Sequence, residues 1–425
     1  MRINGMLRCL WEGEPASIPG ITGGISLGMT GAAPIPVLFT HYGDDWFRGS
    51  EQVLLDLLRN LDRSRFEPIV WCNGREMAEA AISAGIVTYQ SGFEYYFDYH
   101  SPRVNIFRYR SLVKKGIELV RRHNVRIMHA NSAAPNQWLV PVARMTRRPL
   151  LAHLHIDYRR RSRFACLLHQ ASMVVGVSGQ VITDFLQDGM APARTQVIYN
   201  GIDFARLQTS SGRNPRQDLG ISREAVVIAA NGSLIQRKGQ DVLIRAINRL
   251  VAGRDLHLLI SSEGPERHNY EALTTELGLT DRVHFLGYCD DMPALYRATD
   301  IVALASRADA FGLVLAEAAY FGLPAVATQV GGIPEVVDHG VTGLLVPPDD
   351  PEAMAVALAK LIDDPLQRRT LGAQARERAL RLFSAEQMVA NFESTYETLS
   401  LLPPDQLGWL GNHLAIRPYL RLLRA

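Results

Sequence analysis

Paired cysteines, net charge and long apolar runs are all scarce in this sequence, and each shortage removes a class of protein. Its four cysteines, Cys9, Cys72, Cys166 and Cys289, stand far apart. That spacing fits neither a disulfide framework nor a metal-ligand set, and it suits core thiols in a reducing cytoplasm. Forty-five Lys and Arg against 43 Asp and Glu leave a formal charge of +2, so no overall charge draws the chain to nucleic acid. No apolar run reaches the roughly 20 residues of a spanning helix, so an integral membrane protein is not expected. Arg2 and Arg8 precede no continuous apolar stretch, so no signal peptide is expected either. ITGGISLGMTG has the glycines of a phosphate loop, but no strand precedes it and no Gly-Lys-Ser/Thr follows, so that reading fails.

What is present is a 425-residue chain, 47% hydrophobic, of a length that favours two or more domains. Residues 1–35, rich in Gly, Pro and Ser, read as a flexible N-terminal extension. Short apolar runs then alternate with helical patterns: strands are expected at Val37–Thr40, Pro68–Trp71, Val125–His129, Leu150–His155, Met173–Val177 and Gln196–Tyr199. The polar cluster QTSSGRNPRQDLGIS reads as a linker, and a second series follows at Val226–Ala230, Leu256–Ser261, Val283–Leu286, Ile301–Leu304, Ala325–Ala327 and Gly343–Val346. This rhythm predicts an α/β chain of two Rossmann-like, doubly wound domains at 36–210 and 211–385. Helix is expected almost throughout from Pro365 to Leu399, with residues 386–425 forming a C-terminal helix and tail.

The densest chemistry lies in SRADAFGLVLAEAAYFGLPAVATQVGGIPE, Ser306 to Glu335. A polar loop there separates an apolar strand from a helical segment, Phe311–Tyr320. In doubly wound folds such a loop collects ligands, and the first turn of the helix offers N–H groups to an anion. Gly312 allows close approach of a phosphate. Glu317, about one turn on, is placed to accept from ligand hydroxyls. In NGSLIQRKGQD, Lys238 beside Gly239 suits a departing phosphate, although a solvated loop lysine is equally expected. Asp290 and Asp291 before Met292-Pro293 read as a helix cap rather than metal ligands. Glu51 in RGSEQ is by default a cap-region carboxylate. His153 and His155 share a strand face, with no third ligand nearby for zinc. A strand-end histidine is more often structural, but at a cleft rim it is suited to a sugar hydroxyl.

Taken in order, RGSEQ, LLAHLH, VVGVS, VIYNGID, GSLIQRKGQDVLI, SSEGPE, VHFLGY, DAFGLVLAE, GGIPEVV and GLLVPPDD resemble the retaining glycosyltransferases of family 4, which have the GT-B fold of two Rossmann-like domains facing across a cleft. The resemblance runs from about Val37 to Leu399. It implies that Lys238 binds the donor diphosphate and that Glu317, the second acid of an E-x7-E motif, holds the ribose. Phe311, Gly312 and Leu313 would present backbone near sugar and phosphates. Gly49 would approach the phosphates from the first domain, and His155 would stand near the reacting sugar. Glu263 and Gly264, with Phe285, Leu286 and Gly287 near the base, complete the implied donor set together with Ser233 and Arg237. Lys238, Asp309 and His155 are the implied catalytic residues. The last helix would cross back to the first domain.

Two residues depart from the family pattern. Asp309 stands where the first acid is usually Glu, and Ser233 stands where the family has a phosphate-binding Arg; Arg237 is the nearest compensating cation. The implied reaction is transfer of a sugar from a nucleotide-diphosphate sugar, with retention, without metal or other cofactor, the leaving charge being met by Lys238 and helix-end N–H groups.

The acceptor implied is a glycan or glycolipid, in cell-surface polysaccharide synthesis at the inner face of the cytoplasmic membrane. A basic cluster between Arg103 and Arg163, including Lys114, Lys115, Arg121, Arg122, Arg147, Arg148 and Arg159–Arg161, suits a peripheral contact with an anionic lipid surface, against the plainer reading of a solvated helix face. FEYYFDYH (93–100) reads either as acceptor groove or as core, and the tail HLAIRPYLRLLRA as a basic amphipathic helix or a docked terminal one. Two other readings compete: a nucleotide-sugar epimerase or hydrolase of the same fold, and a glycan-binding protein whose catalytic apparatus has decayed.

Overall fold

The structure is a computed structural model and describes residues 33–43, 49–93, 96 and 105–408. Apart from residues 33–35, the expected N-terminal extension and the basic tail lie outside these residues.

Two all-parallel sheets carry the chain. The first has β1 (Ile35–His41), β2 (Phe66–Cys72), β3 (Val87–Gln90), β4 (Ile127–Asn131), β5 (Leu150–Leu154), β6 (Met173–Gly176) and β7 (Thr195–Val197) in the order β3-β2-β1-β4-β5-β6-β7. The second has β8 (Val226–Asn231), β9 (Leu256–Ser261), β10 (Val283–Gly287), β11 (Ile301–Leu304), β12 (Ala325–Thr328) and β13 (Gly343–Val346) in the order β10-β9-β8-β11-β12-β13. Strand order reverses between β1 and β4 in one sheet and between β8 and β11 in the other. These are the crevices where doubly wound folds bind ligands.

The sheets are covered on both faces, as parallel sheets require. In β1, Val37 and Phe39 join a cluster with Leu54, Leu57, Phe392 and Tyr396, while Leu38 faces the opposite cluster with Ile69, Trp71 and Trp138. That second cluster continues through Phe185 and Ile202 to Phe311, Leu315 and Ile333 beside the second sheet.

Several expectations need correction. β3 is an additional strand: its sequence VTYQ is half-exposed at the sheet edge and carries no apolar run. The helix expected from Phe311 begins at Leu313, because Gly312 takes φ +87 as its cap and no helix passes through that conformation. The stretch from Pro365 to Leu399, by contrast, is helical almost throughout as expected, in two helices, Pro365–Leu382 and Ala385–Ser400. Ser384 caps the second, and the intervening turn pairs with Ile202 through Ile202 N to Phe383 O, 2.9 Å, and Ala385 N to Ile202 O, 3.0 Å. This turn sends Ala385–Ser400 onto the first sheet, where Tyr396 bonds His129 at 2.7 Å.

The linker segment is tied down. Asp291 caps the helix Met292–Arg297 through Ala294 N, as expected of that pair, and also accepts from Ser210 and Ser211. Arg216 pairs with Asp300 at 2.6 Å. Cys72 and Cys166 are buried and Cys289 half-buried.

Candidate active site

At the second sheet's reversal point the loops after β8 and β11 meet. Gly239, at φ +67, lets the first loop pass close to the second; a Cβ there would lie 2.0 Å from Ala305 O. Lys238 Nζ reaches Asp309 Oδ2 at 2.6 Å. Asp309 Oδ1 accepts from the N–H groups of Phe311, 3.2 Å, and Gly312, 3.0 Å. Burial raises the Asp309 carboxyl, but the Lys238 ammonium and these bonds outweigh it and hold it below the usual range.

The following turn supports this loop. Gly332 N donates to Asp309 O at 3.0 Å, and a Cβ on Gly331 would lie 1.9 Å from the same oxygen. The glycines of GGIPE are therefore packing requirements of the Asp309 loop.

The cations around it differ in freedom. Arg237 is exposed and donates to Ala308 O at 2.9 Å, adding positive charge beside Asp309. Ser233 is exposed on the same loop and offers only a hydroxyl. Arg307 is committed to Asp241 and Asp349.

Glu317 lies one turn into the helix Leu313–Tyr320. Tyr296 donates to its Oε2 at 2.9 Å, and Arg206 lies 3.6 Å from Oε1. Burial pushes the Glu317 carboxyl up, opposed by Arg206 and Tyr296. Neither partner was singled out from the sequence, where both look like ordinary helix-surface residues.

Phe311 contributes backbone only to this loop. Its ring is buried 5.9 Å from Tyr199 and 5.5 Å from Phe383, and its N–H and that of Gly312 are already taken by Asp309 rather than free for an anion. Glu263 is exposed and paired with Arg267. Gly264 packs so tightly on Leu234 that a Cβ would lie 2.4 Å from its carbonyl oxygen. Phe285 and Leu286 are half-buried at the end of β10, where Gly287 turns at φ +72. These last residues stand on the neighbouring loops of the same sheet edge.

The first sheet presents a different centre at its own reversal point. His41 ends β1, Asn131 ends β4, and His155 lies one residue past β5. Glu51 lies in the first turn of the helix Gly49–Asn60, as expected of a cap-region carboxylate, and in addition its Oε1 bonds His41 Nε2 at 2.9 Å. Burial raises that carboxyl, but the His41 and Ser50 bonds prevail and hold it at about 2. His155 Nε2 bonds Asn131 Oδ1 at 2.9 Å, and its ring is tilted against that of His153 with centroids 4.2 Å apart. Burial, with His41 nearby, lowers His155 to about 3, so the ring is neutral. Asn131 and His41 were missed; their only sequence signal is a polar residue at the carboxyl end of an apolar strand.

The two centres meet where Gly49 abuts Leu313: a Cβ on Gly49 would lie 2.7 Å from Leu313 Cδ1. A side chain at residue 49 would require the Leu313 side chain to shift.

Comparison with known proteins agrees with this architecture. Residues 213–378 match the model described as glycosyl transferases group 1, and residues 47–206 match glycosyltransferase family 4. Over 317 residues the chain is 30% identical to N-acetyl-alpha-D-glucosaminyl L-malate synthase of Bacillus anthracis, covering 70% of this chain and 83% of that relative. The chain belongs to the group 1 glycosyltransferases.

Among other members of this family, it is 38% identical over 217 residues to D-inositol 3-phosphate glycosyltransferase of Corynebacterium efficiens, covering 48% of this chain and 51% of that relative. HepE of Anabaena, solved in complex with UDP and glucose, superimposes with a TM-score of 0.73 at 27% identity, covering 86% of this chain and 99% of HepE. The group 1 glycosyltransferase described here therefore has the GT-B fold.

Proposed function

We propose that this chain transfers a sugar from a nucleotide-diphosphate sugar to a hydroxyl of a glycan or glycolipid, with retention of anomeric configuration and without a resident metal. The observation that carries the reading is the Lys238–Asp309 pair at the start of a helix, set at the second sheet's reversal point. The departing diphosphate takes the place of the Asp309 carboxylate on Lys238 and on the loop N–H groups, with Arg237 adding charge from the rim. Glu317 accepts from the ribose hydroxyls, and His155 faces the sugar. The nucleotide bound by HepE supports a nucleotide donor.

A cytoplasmic site at a membrane surface fits the helix Ile106–Arg122. It exposes Phe107, Arg110, Lys114 and Arg121 along a surface groove of about 1100 Å³. Arg163 does not belong to that surface, being buried in ion pairs with Asp184 and Asp188. Phe93 and Tyr96 are core residues against Trp138, and the rest of that aromatic run lies outside the described residues. Among the described residues no helix is long and apolar enough to cross a membrane.

A panel of nucleotide sugars tests the reading. The donor raises the melting temperature in proportion to the logarithm of its concentration, because it binds only the folded chain. Sugar then appears on the acceptor at the rate nucleoside diphosphate is released; release without an acceptor product would favour the hydrolase or epimerase reading. No shift with any nucleotide sugar and no turnover would sink both. A decayed binding protein is the second reading, favoured by Ser233 and by an Asp309 that saturates its own loop. Ser233→Arg then creates donor affinity in an otherwise silent chain.

A further inference from the structure

His155 is held from behind by a chain of polar groups that the transfer reaction does not itself call for. Asn131 Nδ2 lies 3.4 Å from Ser50 O and 3.0 Å from His41 Nδ1. A backbone carbonyl only accepts, so the amide nitrogen is fixed on that side and Oδ1 is turned toward His155. An amide oxygen also only accepts, so the proton at the 2.9 Å contact belongs to His155 Nε2. The chain continues through His41, whose Nδ1 lies 3.1 Å from Asn131 O and whose Nε2 meets Glu51, and ends at Ser50 Oγ on Glu51 Oε2, 2.9 Å. Gly43 closes over it; a Cβ there would lie 2.6 Å from His41 Nε2 and 2.7 Å from Glu51 Oε1.

We propose that Asn131 is a positioning residue: it locks His155 as the Nε2–H tautomer, so that the cleft is offered the Nδ1 lone pair. His155 then accepts a hydrogen bond from a sugar hydroxyl and cannot donate one to a phosphate or ring oxygen. The sugar-hydroxyl half of this statement rests on the proposed transferase function; the tautomer does not. The titratable groups around the ring are Glu51 and His41 across the network, with the neutral His153 tilted against it at 4.2 Å and His129 behind His153 at 5.3 Å. Removing the lock changes the ring's protonation more than its place, which separates this role from simple packing.

The test uses the full chain labelled with 15N-histidine. A long-range 1H–15N correlation shows His155 with a protonated Nε2 and a bare Nδ1 at pH 7, before any substrate is added. Asn131→Asp keeps size and shape but sets a carboxylate at Nε2, which draws a second proton onto the ring. With UDP-glucose as probe, that variant loses roughly tenfold in kcat at neutral pH, keeps its donor KM, and regains activity as pH rises. A protonated Nδ1 in the unsubstituted protein overturns the proposal. So does an Asn131→Asp variant whose spectrum and pH–rate profile are unchanged. Should neither protein turn over any donor while the spectrum shows the Nε2–H ring, the transferase reading fails and the tautomer lock stands.

Discussion

The two sheets reverse strand order at equivalent places, yet they fill those places with opposite chemistry. The first holds a neutral histidine: Glu51 and His41 satisfy each other, and Asn131 meets His155 with an uncharged acceptor oxygen. The second holds an ion pair whose lysine remains 17% exposed, with Arg237 open beside it. Shared topology thus explains where ligand chemistry sits, and residue choice explains which part of a ligand each half is suited to meet. A half-buried neutral acceptor suits hydroxyls, because it has no charge to desolvate on closure. An accessible ammonium suits a diphosphate, which can exchange with the Asp309 carboxylate at modest cost.

Removing each half's central residue sharpens that contrast. Lys238→Ala lowers kcat by on the order of 10² to 10³, the range seen when a donor to developing negative charge is lost. His155→Ala costs less, roughly tenfold, since a neutral hydrogen bond is about half as strong as a charge-assisted one. Equal losses in steady-state assays would break the comparison. Because Lys238→Ala also strands a buried carboxylate, the double variant Lys238→Ala/Asp309→Asn serves as control. It recovers stability but not rate.

Acidity separates the halves in a second way. His129 and His155 are both lowered to about 3 by burial, and His153 well below its ordinary value. In the unfolded chain these rings protonate near 6.5, so below that pH the unfolded state binds more protons and stability falls as pH drops toward 3. Each ring contributes on the order of 1 kcal/mol per pH unit in that window. Glu51, held at about 2, adds stability present above its unfolded value near 4.5 and lost as pH falls toward 2. Urea denaturation between pH 7 and pH 5 should show the midpoint falling, and His129→Gln should reduce the slope. A midpoint independent of pH over that interval would show that these rings titrate in the folded chain as they do in the unfolded one.

Much of the fold was readable because both sheets are buried on both faces, so eleven of the strands stand out as short apolar runs bounded by Gly, Pro and polar clusters, and β7 as a weaker one. β3 was not, since an edge strand of mixed residues has no such run. Asp309 and Glu317 were readable through glycine and carboxylate spacing on one short stretch, and Lys238 through the glycine beside it in a separate loop after β8. His41, Asn131, Tyr296 and Arg206 were not. Their partners lie 10 to 111 residues away in sequence and meet only through strand order and packing, as with His41 and Glu51 or Arg206 and Glu317. Periodicity carries no information about such pairs.

The smallest predicted effect concerns the seam between the two chemistries. Glu335, in the turn that supports the Asp309 loop, reaches across to the first sheet's helix Gly179–Gln187. Its carboxylate accepts from Gly179 N at 2.9 Å and Gln180 N at 3.3 Å, satisfying N–H groups that a helix start leaves open. Arg378 donates to the Glu335 carbonyl at 2.7 Å, so the turn is held from both sides. Losing a capping side chain costs about 0.5–2 kcal/mol. Glu335→Ala should therefore lower the unfolding free energy, read from urea denaturation, by about that much. Glu335→Gln should lose less, keeping one acceptor but no charge against the helix dipole. If the carboxylate acts as a bridge and not merely as a cap, Glu335→Ala also raises the donor KM, because the half carrying Asp309 is then less firmly set against the half carrying His155. A stability loss with an unchanged KM would make Glu335 a cap alone and leave the two centres aligned by Gly49 against Leu313.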